Sequence, residues 1–244
     1  MTDSAGTPWA GRHFEPNRSS DDDGSAPVAL IDALGRFRTG EAGEAEVVAA
    51  IRLSRLLVPL VARLEEAATN DAGHTVDTSA ELAIVTVTAP DGRSVLPAFS
   101  SVDAMRRWDP TARPVPADAV RVALAAASES TDLVVLDPTS DTEFVIRRPA
   151  LWAIGQSREW VPCYLDDEVL TAFTAVDDSR VVAVRLAAGD PDARLAGPEL
   201  LVQLTLVPGL DRLQLDDLLD TLQAEWASNP VIADRVDSLG VSVS

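Results

Sequence analysis

Few side chains in this 244-residue chain have the type and spacing to do chemistry. One is the single cysteine, Cys163, within Val161-Pro162-Cys163-Tyr164-Leu165. A catalytic thiolate needs a nearby base or an oriented helix N-terminus to lower its pKa. Asp166, Asp167 and Glu168 follow at once and act in the opposite sense, so Cys163 reads as structural. Two arginine pairs come next, Arg106-Arg107 and Arg147-Arg148, the second just before a helix opened by Pro149. Guanidinium groups beside a helix N-terminus could bind phosphate or carboxylate. Ordinary salt bridges to the 39 acidic residues explain the same arginines. Asp91, Asp137 and Asp141 could serve a hard cation or acid–base chemistry, yet no spacing selects a pair and no calcium-loop pattern occurs. Trp9 and Phe14 flank Arg12 and His13 and offer an apolar pair for docking. Trp108, Trp152, Trp160 and Trp226 read as core or inter-domain packing rather than a ligand cage. No residue stands out as catalytic, cofactor-binding or metal-ligating.

Composition removes whole classes of function. All 20 basic residues are arginine, so there is no lysine for a Schiff base, a pyridoxal phosphate anchor, a P-loop or a kinase-type site. The two histidines, His13 and His74, sit in polar, turn-like stretches, against an imidazole triad or a His-rich metal centre. Neither G-x-G-x-x-G nor G-x-S-x-G is present. A net charge of −19 argues against nucleic acid or an anionic membrane as partner, since phosphate binding needs a basic footprint. The N-terminus has no apolar run, and the longest strongly apolar stretch, Leu56 to Ala62, is far short of the ~20 residues that span a bilayer. With one cysteine, these features imply the cytoplasm.

The elements that would hold these residues can be read in order. Residues 1–25 lack apolar periodicity and read as a flexible arm. Helices are expected near 28–34 and 44–54, and a strand from Arg55 to Leu64, where Pro59 disfavours a helix. Leu82 to Thr88 and Ser94 to Phe99 form a hairpin around Pro90-Asp91-Gly92. Ser100 and Ser101 offer a cap for a short helix ending at Trp108, and Pro116 opens another that runs to Ser128. Strands at 132–136 and 143–146 follow, then the helix from Pro149. After Gly155 the pattern restarts: a helix at 166–176, strands at 180–186 and 199–206, a long amphipathic helix at 210–227 and a last strand at 236–243.

The expectation is an α+β protein of two small domains, 26–158 and 159–244, each a mostly antiparallel sheet with helices packed on it. Residues 159–244 carry 16 acids against 5 arginines. That surplus is either a solvated face or a docking surface for a basic partner.

The residues also carry a family resemblance. Leu53-Ser54-Arg55-Leu56-Leu57-Val58-Pro59-Leu60 resembles the first strand of the SseB family. Gly92-Arg93-Ser94-Val95-Leu96-Pro97-Ala98-Phe99-Ser100-Ser101 resembles its "G-x-x-x-L-P-x-F-T-S" hairpin and helix start, with Ser100 where threonine is usual. Leu133 to Pro138 and Arg147-Arg148-Pro149-Ala150-Leu151-Trp152 complete the pattern, which covers about 50–158. Residues 159–244 look like the companion C-terminal domain, and the Trp9–Phe14 arm resembles the actinobacterial branch. The family name comes from enhanced serine sensitivity, and the resemblance implies no enzymatic activity or cofactor. The reading is therefore a non-enzymatic cytoplasmic binding or adaptor protein with a protein partner. The alternative is a small-anion sensor or carboxylate-based enzyme using Arg106, Arg107, Arg147 and Arg148.

Overall fold

The computed structural model describes residues 22–63, 81–89, 92–129, 131–176 and 178–244. Two helices open it, α1 (Val28–Arg38) and α2 (Glu44–Arg52). Leu30, Leu34, Val47, Val48 and Ile51 turn the apolar sides of both helices into one core. Each such side chain contributes roughly 1.5–3 kcal/mol on burial. Glu44 and Glu46 sit in the first turn of α2, where acidic side chains favour the helix dipole.

β1 (Arg55–Arg63) follows and pairs antiparallel with β2 (Glu81–Ile84) on one side and with β5 (Arg113–Asp118) on the other. Proline tolerates this central place for a geometric reason. Leu57 exchanges both of its backbone hydrogen bonds with Phe99, at 2.8 Å each. Since N–H direction alternates along a strand, the missing N–H of Pro59 faces that same side. There it falls between the Leu57–Phe99 bridge and the first β2 pair at Leu60.

The second sheet runs β3 (Val87–Thr88), β4 (Ser94–Ala98), β6 (Val134–Leu136), β7 (Phe144–Ile146). The stretch Leu82–Thr88 is thus split between two sheets, and only Val87 and Thr88 form the expected hairpin with β4. β4 and β6 are parallel. Parallel neighbours need a crossover, here made by α3 (Val102–Trp108), β5 and α4 (Ala119–Ser128). Ser101 caps α3 by accepting from the Ala104 amide. The helix expected to open at Pro116 begins three residues later, because 113–118 is strand β5. Its prolines, Pro114 and Pro116, suit an edge strand that among the described residues pairs only with β1. α5 (Arg148–Gly155) closes this part, with Pro149 in its first turn.

A 3₁₀ turn, Cys163–Leu165, leads into α6 (Asp167–Thr174), and then come β8 (Val181–Ala188) and β9 (Leu200–Leu206). α7 (Arg212–Ser228) opens on a capping box between Asp211 and Gln214. Of its apolar positions only Leu218, Leu222 and Trp226 are buried, so the helix leans on the core with its later turns. Asn229 caps a further short helix, α8 (Pro230–Arg235), in a stretch to which the sequence pattern assigns no element. β10 (Leu239–Val243) then lies parallel to β9, giving a third sheet ordered β10-β9-β8. The class is α+β with three mostly antiparallel sheets. The third sheet and its helices share one apolar cluster built on Phe173, Val202, Leu204 and Trp226. The loop between β8 and β9 reaches across, placing Ala193 in the core of the preceding part and Leu195 against a smaller cluster there.

Candidate functional site

Asp137 shows how the quoted motifs meet. It is buried at the end of β6, with φ of 47°. Its carboxylate accepts from the Ser100 amide at 2.8 Å, the Ser100 hydroxyl at 2.6 Å and the Thr142 hydroxyl at 2.9 Å. The end of the β4 motif is thereby fastened to the β6–β7 turn. Its side-chain partners among the described residues are all internal to the fold, which makes Asp137 a structural clamp.

The densest charged cluster lies where residues 189–199 and 236–239 meet β7 and α5. Arg147 is only 5% exposed. It donates to Asp190 at 2.7 Å, Asp237 at 3.3 Å, the Gly197 carbonyl at 2.9 Å and the Ser238 hydroxyl at 3.3 Å. Asp190 also accepts from the amides of Arg194, Leu195 and Ala196, which shapes the loop. Asp237 takes a second arginine, Arg93, at 2.8 Å. Two glycines permit the close approach: a Cβ on Gly189 would stand 2.4 Å from the Pro198 carbonyl oxygen, and one on Gly197 would stand 2.6 Å from that of Gly189.

Behind Arg147 the cluster continues through Glu44, Cys163, Tyr164 and Glu199. Tyr164 donates to Glu44 at 3.0 Å, tying the 3₁₀ turn to α2. Glu199 accepts from the Asp237 amide at 2.6 Å and faces the Cys163 thiol. Burial pushes Glu199 up to about 7, aided by the charges of Asp237 and Glu44 and opposed by Arg147 and the Asp237 amide. Burial likewise raises Glu44, and the Tyr164 hydroxyl offsets part of this. The Cys163 thiol is driven upward by burial, then by the charges of Glu199 and Glu44, so it is no thiolate nucleophile at neutral pH.

A groove runs along the outer side of the same seam. One part, of about 340 Å³, is lined by Trp152, Ala153, Trp160, Val161, Asp234 and Arg235 among others. A second, of about 240 Å³, continues past Trp160, Glu159 and Arg158 to Ala49 and Arg52 of α2. Trp152 is 44% exposed, with the Arg148 guanidinium stacked 4.9 Å above its ring. Trp226 and Trp108 are packing residues, and Trp160 is half-buried against the first core. Trp152 departs from the packing role expected of it, because α5 turns Leu151 and Ile154 inward and leaves position 152 on the outer side.

The four arginines singled out as an anion site divide. Arg147 and Arg148 are engaged by the C-terminal part, Arg148 donating to the carbonyls of Ala233 at 2.9 Å and Val236 at 2.6 Å. Arg106 and Arg107 are exposed on the last turn of α3, which packs through Ala104 and Met105 against Leu57 and Phe99. Neither has a hydrogen-bond or ion-pair partner among the described residues. Trp9, Phe14, His13, His74 and Asp91 lie outside the described residues. Sequence reasoning missed Asp190, Glu199 and Asp237. Their signal was faint: Glu199 is a charge standing just ahead of the mostly apolar strand Leu200–Leu206.

An α+β core with this motif set points to one family. The SseB protein N-terminal domain matches residues 30–153, half of the chain, and the chain belongs to the SseB family. No curated protein and no solved structure matches it. Among the described residues no group of three or more histidines, cysteines and carboxylates could hold a metal ion, and no helix is long and apolar enough to cross a membrane.

Proposed function

We propose that this SseB family protein is a non-enzymatic binding protein of the cytoplasm, with a protein partner that docks in the groove beside α5. The observation that carries the reading is Trp152, 44% exposed in a concave surface with an arginine stacked on it. Tryptophan and arginine dominate the energetics of protein interfaces because they bury large rigid area and still offer polar or cationic contacts. Val161 and Leu165 are also exposed nearby in sequence, at 54% and 66%. The acidic surplus of residues 159–244 favours a partner with basic residues around its apolar anchor. Trp9 and Phe14 are assigned the same docking role, on this protein or on the partner.

The test is a photo-crosslinking residue placed at Val161, with a second at Arg106 as a control, in native lysate. Adducts confined to position 161, lost with Trp152→Ala, support the reading; a central hot-spot residue of ~2 kcal/mol or more corresponds to roughly 30-fold weaker capture. Equal adducts at both positions, or capture unchanged by Trp152→Ala, overturn it.

A further inference from the structure

Where α7, α8 and the start of β10 meet the first residue of α5, the surface opens into a cavity of about 430 Å³. It is distinct from the outer groove, which takes Asp234 and Arg235 of α8, whereas this cavity takes Ile232 and Ala233. Its wall is largely apolar, made by the buried Trp226, Ile232 and Val236 and the half-exposed Leu239. The size falls within the ~300–1,000 Å³ of ordinary small-molecule sites, which combine an apolar lining with a few placed polar groups.

Two donors on that wall lack acceptors. The indole Nε1–H of Trp226, a residue only 2% exposed, has none among the described residues. A buried indole N–H usually finds a partner, so one left over on a cavity wall marks where an acceptor belongs. Arg148 is the second. Its Nη2 donates to the carbonyls of Ala233 at 2.9 Å and Val236 at 2.6 Å, and its guanidinium lies 4.9 Å from the centre of the Trp152 ring. These contacts hold the group in place, while Nε and Nη1 have no partner among the described residues. A cation fixed in this way meets a ligand with little further ordering to be done. Asp237, the carboxylate of the lining, is already engaged by Arg93 at 2.8 Å and Arg147 at 3.3 Å, and Arg148 enters no ion pair among the described residues.

We propose that this cavity binds a small amphiphilic carboxylate: Arg148 and the Trp226 indole N–H hold its carboxylate, and Ile232, Val236 and Leu239 cover its hydrocarbon part. The two kinds of wall select against simpler ligands. A bare anion leaves the apolar wall in water, and a hydrocarbon without an acceptor leaves both donors unpaired. A cation is opposed by Arg148. The site is separate from the groove beside Trp152, and its test involves no protein partner.

The experiment titrates the ¹⁵N-labelled full chain at neutral pH with octanoate, hexanoate, acetate and 1-octanol, following the indole N–H resonances of its five tryptophans and the heat of binding. Octanoate should bind saturably at one site and shift the Trp226 resonance, which the spectrum of Trp226→Phe assigns. Hexanoate, two methylenes shorter, should bind roughly tenfold more weakly. Acetate and 1-octanol should each bind at least tenfold more weakly than octanoate, the first for want of a tail and the second for want of a charge. Arg148→Gln and Trp226→Phe should each weaken octanoate at least tenfold, as loss of a hydrogen bond to a charged group does. In case those variants disturb packing, Ala227→Phe fills the cavity from an exposed position of α7 and should abolish binding. No saturable binding of octanoate, 1-octanol bound as tightly, a Trp226 resonance unmoved at saturation, or octanoate still bound by Ala227→Phe overturns the proposal.

Discussion

Arg106-Arg107 and Arg147-Arg148 are the same dipeptide with opposite fates. The first pair ends a short helix and points its guanidiniums into water. The second straddles the start of a helix and is taken up by 189–199 and 233–238, with Arg147 almost wholly buried. An exposed arginine keeps its hydration and adds little to stability, whereas a buried one is held by, and holds, the carboxylates around it. The difference teaches that the role of a charged pair is set by what the rest of the chain brings to it.

Arg147→Ala is the severest test of that contrast. It would leave Asp190 and Asp237 buried without their shared cation, and an uncompensated buried charge costs ~3–5 kcal/mol. Urea unfolding should show a large drop in midpoint. A loss under ~1 kcal/mol would mean that water or Arg93 replaces the guanidinium. A middle-sized effect is expected from Gly189→Ala, which keeps every charge but drives a methyl group to 2.4 Å from the Pro198 oxygen. The loop must shift, at ~1–3 kcal/mol, the usual cost of overpacking. Exchange protection should fall in 189–199 first if that loop is what holds Arg147 inside. At the small end, Arg106→Ala and Arg107→Ala should each change unfolding free energy by less than ~0.5 kcal/mol, as exposed substitutions do. A larger loss from either would place a partner for it somewhere outside the described residues and erase the contrast.

Much of the fold was legible in the residues, for local reasons. α1, α2, α6 and α7 follow apolar periodicity and begin at Pro27, Gly43, Asp166 and Asp211, each a residue suited to a helix start. β1 was legible through its β-branched and leucine run despite Pro59, and Ser101 was legible as a cap. The errors lie where pairing partners decide. Pro116 is an acceptable first-turn residue of a helix, and it became part of a strand because Leu57 lies opposite it. Leu82–Thr88 alternates well enough for one strand, yet β1 takes its beginning and β4 its end.

By itself the sequence determined the class, the family, the absence of lysine chemistry and the acidic surplus, because these depend on composition, periodicity and short motifs. Cys163 as a non-nucleophile was also legible, although the cause differs in part. Its immediate neighbours are acidic, but burial against Glu199 and Glu44, distant in sequence, is what raises the thiol. Only the tertiary structure decided that Arg147 is a buried hub, that Trp152 is left exposed, and that Glu199 has no arginine paired with it among the described residues. Each of these rests on contacts between segments dozens of residues apart. Electrostatics at short range depends on distance and local dielectric, and neither is written in the order of the residues.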